Sequence, residues 1–253
     1  MSPPNLSADV ALITGGGTGL GLGIAKALCN AGAKVVLCGR REEPLLKAQA
    51  EIGQELCAIT CGDITDSADR SSIIQDAKDA FGQPVSLLVN NAGNHLKKPA
   101  SEVTDEEFQN VLSTHVNASF ALSRDVYPGM VQAGRGNILF IASMASFMGV
   151  PNIVAYTAAK CAVIGLTRAL AAEWSGSGIR VNAIAPGWIA SPMMEKALSD
   201  DPVRKEKILS RTPMGGFGEA KDIGNAVTYL TSSAAGFVNG TILTVDGGAS
   251  VGF

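Results

Sequence analysis

Val10-Ala11-Leu12-Ile13-Thr14-Gly15-Gly16-Gly17-Thr18-Gly19-Leu20-Gly21 is the stretch that decides the fold. Val10–Thr14 is a short, almost wholly apolar run, the pattern of a strand buried on both faces of a parallel sheet. Behind the glycine-rich turn, Leu20, Ile24, Ala27 and Leu28 recur at the spacing that lines one face of a helix. In such a strand–turn–helix unit Gly15 permits the sharp turn, Gly19 lets backbone approach a pyrophosphate, and Gly21 lets the helix pack close. The amides opening the helix, at Thr18 and Leu20 among others, are unpaired donors in a partly positive field. The turn therefore points to a bound dinucleotide.

The same rhythm runs down the chain. Strands are expected at Lys34–Cys38, Cys57–Thr60, Ser86–Val89, Asn137–Ala142, Arg180–Ala185 and Thr241–Val245. Helices are expected from about Glu42, then at Ser71–Phe81, Asp105 to about Gln132, Ala155–Trp174 and Ala220–Ser232. Alternating strands and helices predict an α/β fold, a doubly wound parallel sheet of about seven strands with helices on both faces. Pro186–Gly218 is loop-rich and breaks the rhythm. No linker, repeat or low-complexity tract divides residues 1–253, so a single domain is expected.

Composition excludes other classes. With 46% hydrophobic residues against 17% charged, the chain is not disordered, and its 29 glycines follow no three-residue period. A net charge of −3 leaves no basic footprint for nucleic acid. Purely apolar runs such as Ile138–Ala142 are too short to span a membrane, and Met1–Leu6 has no secretion pattern. Five cysteines without a CxxC and only two histidines predict no metal site, and reduced thiols predict a cytoplasmic protein.

The spacing Gly-x-x-x-Gly-x-Gly after Thr14 resembles the short-chain dehydrogenase/reductase family, and the later motifs extend the resemblance over essentially the whole chain. They are Asn90-Asn91-Ala92-Gly93 after the fourth strand, Ser143 after the fifth, and Tyr156-Thr157-Ala158-Ala159-Lys160 on the next helix. Pro186-Gly187 and Val245-Asp246-Gly247-Gly248 follow the last two strands. The resemblance implies a Rossmann-like fold and hydride transfer between a nicotinamide and a secondary alcohol or ketone. It implies that Ser143 hydrogen-bonds the substrate oxygen and that Tyr156 exchanges the proton. Lys160 would hold the nicotinamide ribose and lower the tyrosine pKa, and Asn117 would support a proton-relay water. Asp63 and Ile64 would border the adenine, with Asn90, Ala92 and Gly93 on the ribose side. Pro186, Gly187, Ile189 and Ser191 would border the nicotinamide. Tyr156 and Lys160 are four apart and so share a helix face, where an ammonium favours the phenolate.

The cofactor's identity is decided after the second strand. An acidic residue there would bond the ribose hydroxyls and repel a 2′-phosphate, whereas this chain has Gly39-Arg40-Arg41. Arg40 and Arg41 can fork onto a phosphate, so NADP(H) is preferred, with NAD(H) as the alternative.

By the same resemblance the substrate pocket draws on the loop after Gly93, the residues after Ser143 and a lid at 188–214. His95, Lys97 and Lys98 suit an anionic substrate such as a sugar acid; Trp188, Met193 and their apolar neighbours form the other wall. Lys-Lys-Pro at 97–99, with Arg211-Thr212-Pro213 and Phe237-Val238-Asn239-Gly240, resembles the gluconate 5-dehydrogenase type. The overall pattern also suits 3-oxoacyl-[acyl-carrier-protein] reductases. A non-catalytic NADP-binding sensor would be expected to have lost Tyr156 or Lys160, and both are present. The partners implied are a small carbonyl or alcohol substrate and further copies of the chain, as a homotetramer or dimer.

Overall fold

The computed structural model describes residues 4–191, 194 and 202–252. Seven parallel strands, β1 (Val10–Thr14), β2 (Lys34–Gly39), β3 (Cys57–Cys61), β4 (Leu87–Asn90), β5 (Gly136–Ile141), β6 (Ile179–Pro186) and β7 (Ile242–Val245), lie in the order β3-β2-β1-β4-β5-β6-β7. The order reverses between β1 and β4, and at such a switch point loops leave in opposite directions and open a crevice over the strand ends.

Successive strand residues point to opposite faces, so each strand feeds two cores. Val10, Leu12, Val36, Leu88, Ile138 and Phe140 face α3 (Ser67–Phe81), α5 (Ser119–Ala133) and α6 (Val154–Trp174). Ala11, Ile13, Val35, Leu37, Leu87 and Leu139 face α1 (Gly19–Asn30), α2 (Glu42–Ile52) and α8 (Ala220–Thr231). Burial on both faces is why the strands are continuous Val/Ile/Leu runs. Val154–Ser177 is long and apolar enough to cross a membrane, but here its inner face, including Val163, Leu170 and Trp174, packs on the sheet.

Three expectations are corrected. Helix α3 starts at Ser67 rather than Ser71, because Asp66 caps it by accepting from the amides of Ala68 (2.8 Å) and Asp69 (3.0 Å). The stretch expected as one helix from Asp105 is two: α4 (Asp105–Leu112), opened by a Thr104/Glu107 capping box, and α5, separated by a π-helical turn at Ser113–Ala118. The segment expected to be loop-rich contains α7 (Pro202–Ser210), anchored by buried Ile208, whose carbonyl accepts from the Thr212 hydroxyl at 3.0 Å.

Candidate active site

The crevice at the switch point is a cavity of about 710 Å³, lined among others by Gly15, Thr18, Arg40, Arg41, Asp63 and Gly93. Ile64 and Ala92 also border it. Its floor is the end of β1. The Thr14 hydroxyl accepts from the amides of Asn91 and Ala92, both at 3.0 Å, and the Asn91 amide group donates to the carbonyls of Thr14 (2.9 Å) and Gly15 (3.2 Å). Thr14 and Asn91 thus lace the two diverging loops together, a role that sequence reading did not assign to Asn91. A Cβ on Gly21 would lie 2.2 Å from the Gly15 carbonyl oxygen, so the helix can open against the turn only without a side chain there. Above Gly19 (φ +54) the space is open.

Helix α1 has no side chain capping its N-terminus and no acid in its first turn, unlike α3, α4 and α8. Its first amides are left for an anion. Arg40 and Arg41 are exposed; the Arg40 guanidinium is 3.8 Å from the Asp63 carboxylate, too long for a hydrogen bond. Asp63 is held well below the usual carboxylate range first by the Thr65 amide, then by the Thr65 hydroxyl, with Arg40 adding attraction. Open space, free amides and two cations fit the phosphates of a dinucleotide.

Other expected residues sit at the rim or elsewhere. The Leu20 side chain, partly buried, packs against the core. The Asn90 side chain turns from the crevice, donating to the Ser123 hydroxyl at 3.0 Å, because the strand's alternation points it into the α5 layer. Pro186 ends β6; the Gly187 amide donates to Val245 at 3.0 Å, and its Cα lies too close to Asp246 for a side chain. Ile189 pairs with Gly218, and the Ser191 hydroxyl accepts from the Met194 amide at 3.1 Å. Met193 lies outside the described residues.

Ser143, directly after β5, and Tyr156 and Lys160, on α6, come together at the carboxyl end of the sheet. The Ser143 hydroxyl accepts from the Ala145 amide at 3.1 Å and weakens the hold of the Tyr156 phenol on its proton. The Lys160 ammonium donates to the Ile141 carbonyl at 2.5 Å and lies 5.5 Å from the Tyr156 ring centre. Burial acts on both groups. It pushes the Tyr156 phenol up, against the opposing influence of Ser143, and it pushes Lys160 down to about 7. The lysine was expected to draw the phenol down; in the structure desolvation is the largest influence on it and the net shift is upward.

Asn117 lies on the π-helical turn. Its register buries His115 and Ala118 and leaves Asn117 exposed. His115 therefore lies beside the tyrosine, its ring edge-on to that of Tyr156 with centroids 5.4 Å apart. Nε2 lies 2.8 Å from the Asn94 carbonyl oxygen, which requires the proton on Nε2 and leaves buried Nδ1 an acceptor with no partner. Burial, then the charge of Lys160, push His115 down to about 4, so it is neutral at physiological pH. A Cβ on Gly93 would fall 2.3 Å from the His115 ring, which accounts for that glycine. His95 packs edge-on to Tyr156 as well, with centroids 5.5 Å apart.

A second cavity, of about 620 Å³, borders the loop after Ser143 and the turn before Tyr156. Met144, Met148 and Trp188 supply apolar wall, as expected. Of the basic residues expected there, only Lys97 lines it. Lys98 is taken up by Glu107, at 2.9 and 3.1 Å. Lys207 and Arg211, which the sequence argument did not place here, complete the lining cations. Among the described residues no group of three His, Cys, Asp or Glu side chains is arranged to hold a metal.

The chain's likeness to known proteins matches this geometry. A family profile described as enoyl-(acyl carrier protein) reductase matches residues 15–250. The chain is 41% identical over 245 residues to the 2-dehydro-3-deoxy-D-gluconate 5-dehydrogenase of Bacillus subtilis, covering 96% of this chain and 95% of that protein. It is 38% identical over 257 residues to the gluconate 5-dehydrogenase of Gluconobacter oxydans, covering 99% of both. An Agrobacterium tumefaciens protein provisionally described as a 2-deoxy-D-gluconate 3-dehydrogenase, solved with bound NADP, superposes with a TM-score of 0.87 at 38% identity, over 98% of this chain and 99% of that one. The ordered motifs, the seven-stranded sheet and these matches together make the chain a member of the short-chain dehydrogenase/reductase family.

Proposed function

We propose that the protein is an NADP(H)-dependent oxidoreductase that interconverts a secondary hydroxyl and a ketone on a sugar acid. The observation that carries this is the Ser143–Tyr156–Lys160 group at the carboxyl end of the sheet, with the buried Lys160 ammonium bonded to the Ile141 carbonyl and 5.5 Å from the Tyr156 ring centre. When bound, the nicotinamide supplies the hydride acceptor or donor. In the oxidation direction Ser143 orients the substrate oxygen and Tyr156 takes its proton as the carbon gives up hydride; reduction reverses both transfers. Lys160, with its pKa brought to about 7, can carry or release a proton near neutrality, and its charge when present favours the phenolate. Asn117 would support a proton-relay water, and His115 packs edge-on beside the tyrosine.

The phosphates would lie on Gly15, Thr18, Gly19, Leu20 and Gly21, with Arg40 and Arg41 on a 2′-phosphate. The NADP-bound neighbour and the lack of an acid at Gly39 support that choice over NAD(H). Asp63, Ile64, Ala92 and Gly93 would border the adenosine, with the backbone of Asn90 beneath; Pro186, Gly187, Ile189 and Ser191 would border the nicotinamide. The sugar-acid substrate rests on the relatives 38–41% identical to this chain. We also propose a cytoplasmic homotetramer of single-domain chains with a lid at 188–214. Five unpaired thiols support the compartment. Exposed Phe120 and Val131 on one face of α5, Val154 on α6, and Phe237 near the C-terminus support assembly.

The test is an NADPH fluorescence titration followed by absorbance assays with 5-ketogluconate, a polyol and an acetoacetyl thioester. Turnover of the sugar acid, abolished in Tyr156→Phe with NADPH binding retained, is the expected result. Binding without turnover would show a sensor, and thioester turnover alone a carrier-protein reductase.

A further inference from the structure

We infer that Lys97, Lys207 and Arg211 form the seat of the substrate carboxylate in the second cavity, an inference that rests on the sugar-acid reading. The three reach it from two separate parts of the chain. Lys207 and Arg211, four residues apart at the end of α7, come from one segment, and Lys97 comes from the loop after β4. Both supports are fixed. Buried Ile208 anchors the end of α7. The Lys98 amide donates to the Asn152 carbonyl at 2.8 Å, and its ammonium is held by Glu107, which ties down the loop that carries Lys97. Asn152 itself lines the cavity and is the one non-glycine residue with positive φ (67°) among those described. Strain of that kind gathers at ligand sites.

The charge balance is the second observation. No acidic residue lines this cavity, and among the described residues none of the three cations has a carboxylate within 4.0 Å. That is a one-sided arrangement in a chain with 23 acidic and 20 basic residues. Among the described residues the three cations, all exposed to solvent, have no carboxylate partner, and such a one-sided lining attracts an anion. A favourable helix-end position accounts for Lys207 and Arg211 but not for Lys97, which is on a loop. The apolar wall of Met144, Met148 and Trp188 lowers the local dielectric and strengthens attraction for a carboxylate. Arg211 offers the planar fork that pairs with a carboxylate, and Lys97 and Lys207 act as point charges.

The experiment compares D-gluconate with D-gluconamide, which differ only in the charge of one end, on the NADP⁺-loaded protein. Calorimetric Kd and steady-state kcat/KM are read for wild type and for the Lys97→Ala/Arg211→Ala double variant, with Tm confirming that the variant folds. The expected result is a wild-type preference for the acid of at least about 10-fold, in line with one or two charge-assisted hydrogen bonds, falling to about threefold or less in the variant. The preference should also shrink with added salt. A variant that keeps the preference, or a wild type that binds both ligands equally or neither, overturns the seat. Gluconate bound with the expected preference but never oxidised would refute the proposed reaction and leave the seat supported.

Discussion

Alanine at position 21 puts a methyl carbon 2.2 Å from the Gly15 carbonyl oxygen and 2.8 Å from the Asn91 side-chain nitrogen. Ordinary contact needs about 1 Å more, in a close-packed region without slack. Gly15 cannot yield freely: its amide donates to Cys38 at 2.8 Å and its carbonyl accepts from Asn91. Overpacking of this kind costs about 1–3 kcal/mol, and the better helix propensity of alanine returns at most about 1. The net loss should be about 1–2 kcal/mol, or roughly 2–8 °C in Tm at this chain length. The larger effect is on the cofactor, since a shift of that size misaligns amides whose bonds to phosphate are worth about 1.5–3 kcal/mol each. NADPH affinity, followed by fluorescence titration, should fall at least about 10-fold. Gly39→Ala is the control. Its Cβ would meet Leu45 at an ordinary 3.5 Å, so stability should change by less than about 0.5 kcal/mol. Wild-type Tm and Kd for Gly21→Ala, or equal damage from Gly39→Ala, would refute the account of the turn.

Arg40→Ala should weaken NADPH far more than NADH, because only the former carries the phosphate that Arg40 is proposed to hold; titrations showing equal losses would demonstrate merely solvated arginines. Lys160 has its pKa lowered from 10.5 to about 7, so between those values the unfolded chain binds more protons and wild-type stability rises with pH. Below about 7 both states hold the proton and the buried charge is at its full cost. Lys160→Met should therefore gain most over wild type near pH 6 and least near pH 9 in urea denaturation. A difference independent of pH would contradict that placement of the lysine charge.

Much of the site is legible in the primary structure because its signals are local. The glycine turn, the Tyr-x-x-x-Lys pair and the alternation of strands with helices depend on spacings of a few residues, and backbone geometry converts such spacings directly into turns, faces and periods. The turn at Ser113–Ala118 was not legible, since a wide turn departs from the 3.6-residue period by which faces are read. That departure buried His115 against Tyr156 and left Asn117 exposed. Asn91 was passed over for a related reason: its bonds cross from β4 to the end of β1, across a long separation in the chain.

The sequence by itself determined the class of fold, the cofactor-binding turn and the family of chemistry. Only the tertiary structure decided which polar groups meet. It buried Lys160 and half-buried Tyr156 beside it, so desolvation is the largest influence on their proton affinities, and it took Lys98 out of the pocket by pairing it with Glu107. It also brought Lys97 beside Lys207 and Arg211, more than a hundred residues away along the chain. Packing of the sheet and its helices closes those long loops at an entropic cost that grows only slowly with their length, so residues remote in sequence can share one cavity without any trace in local pattern.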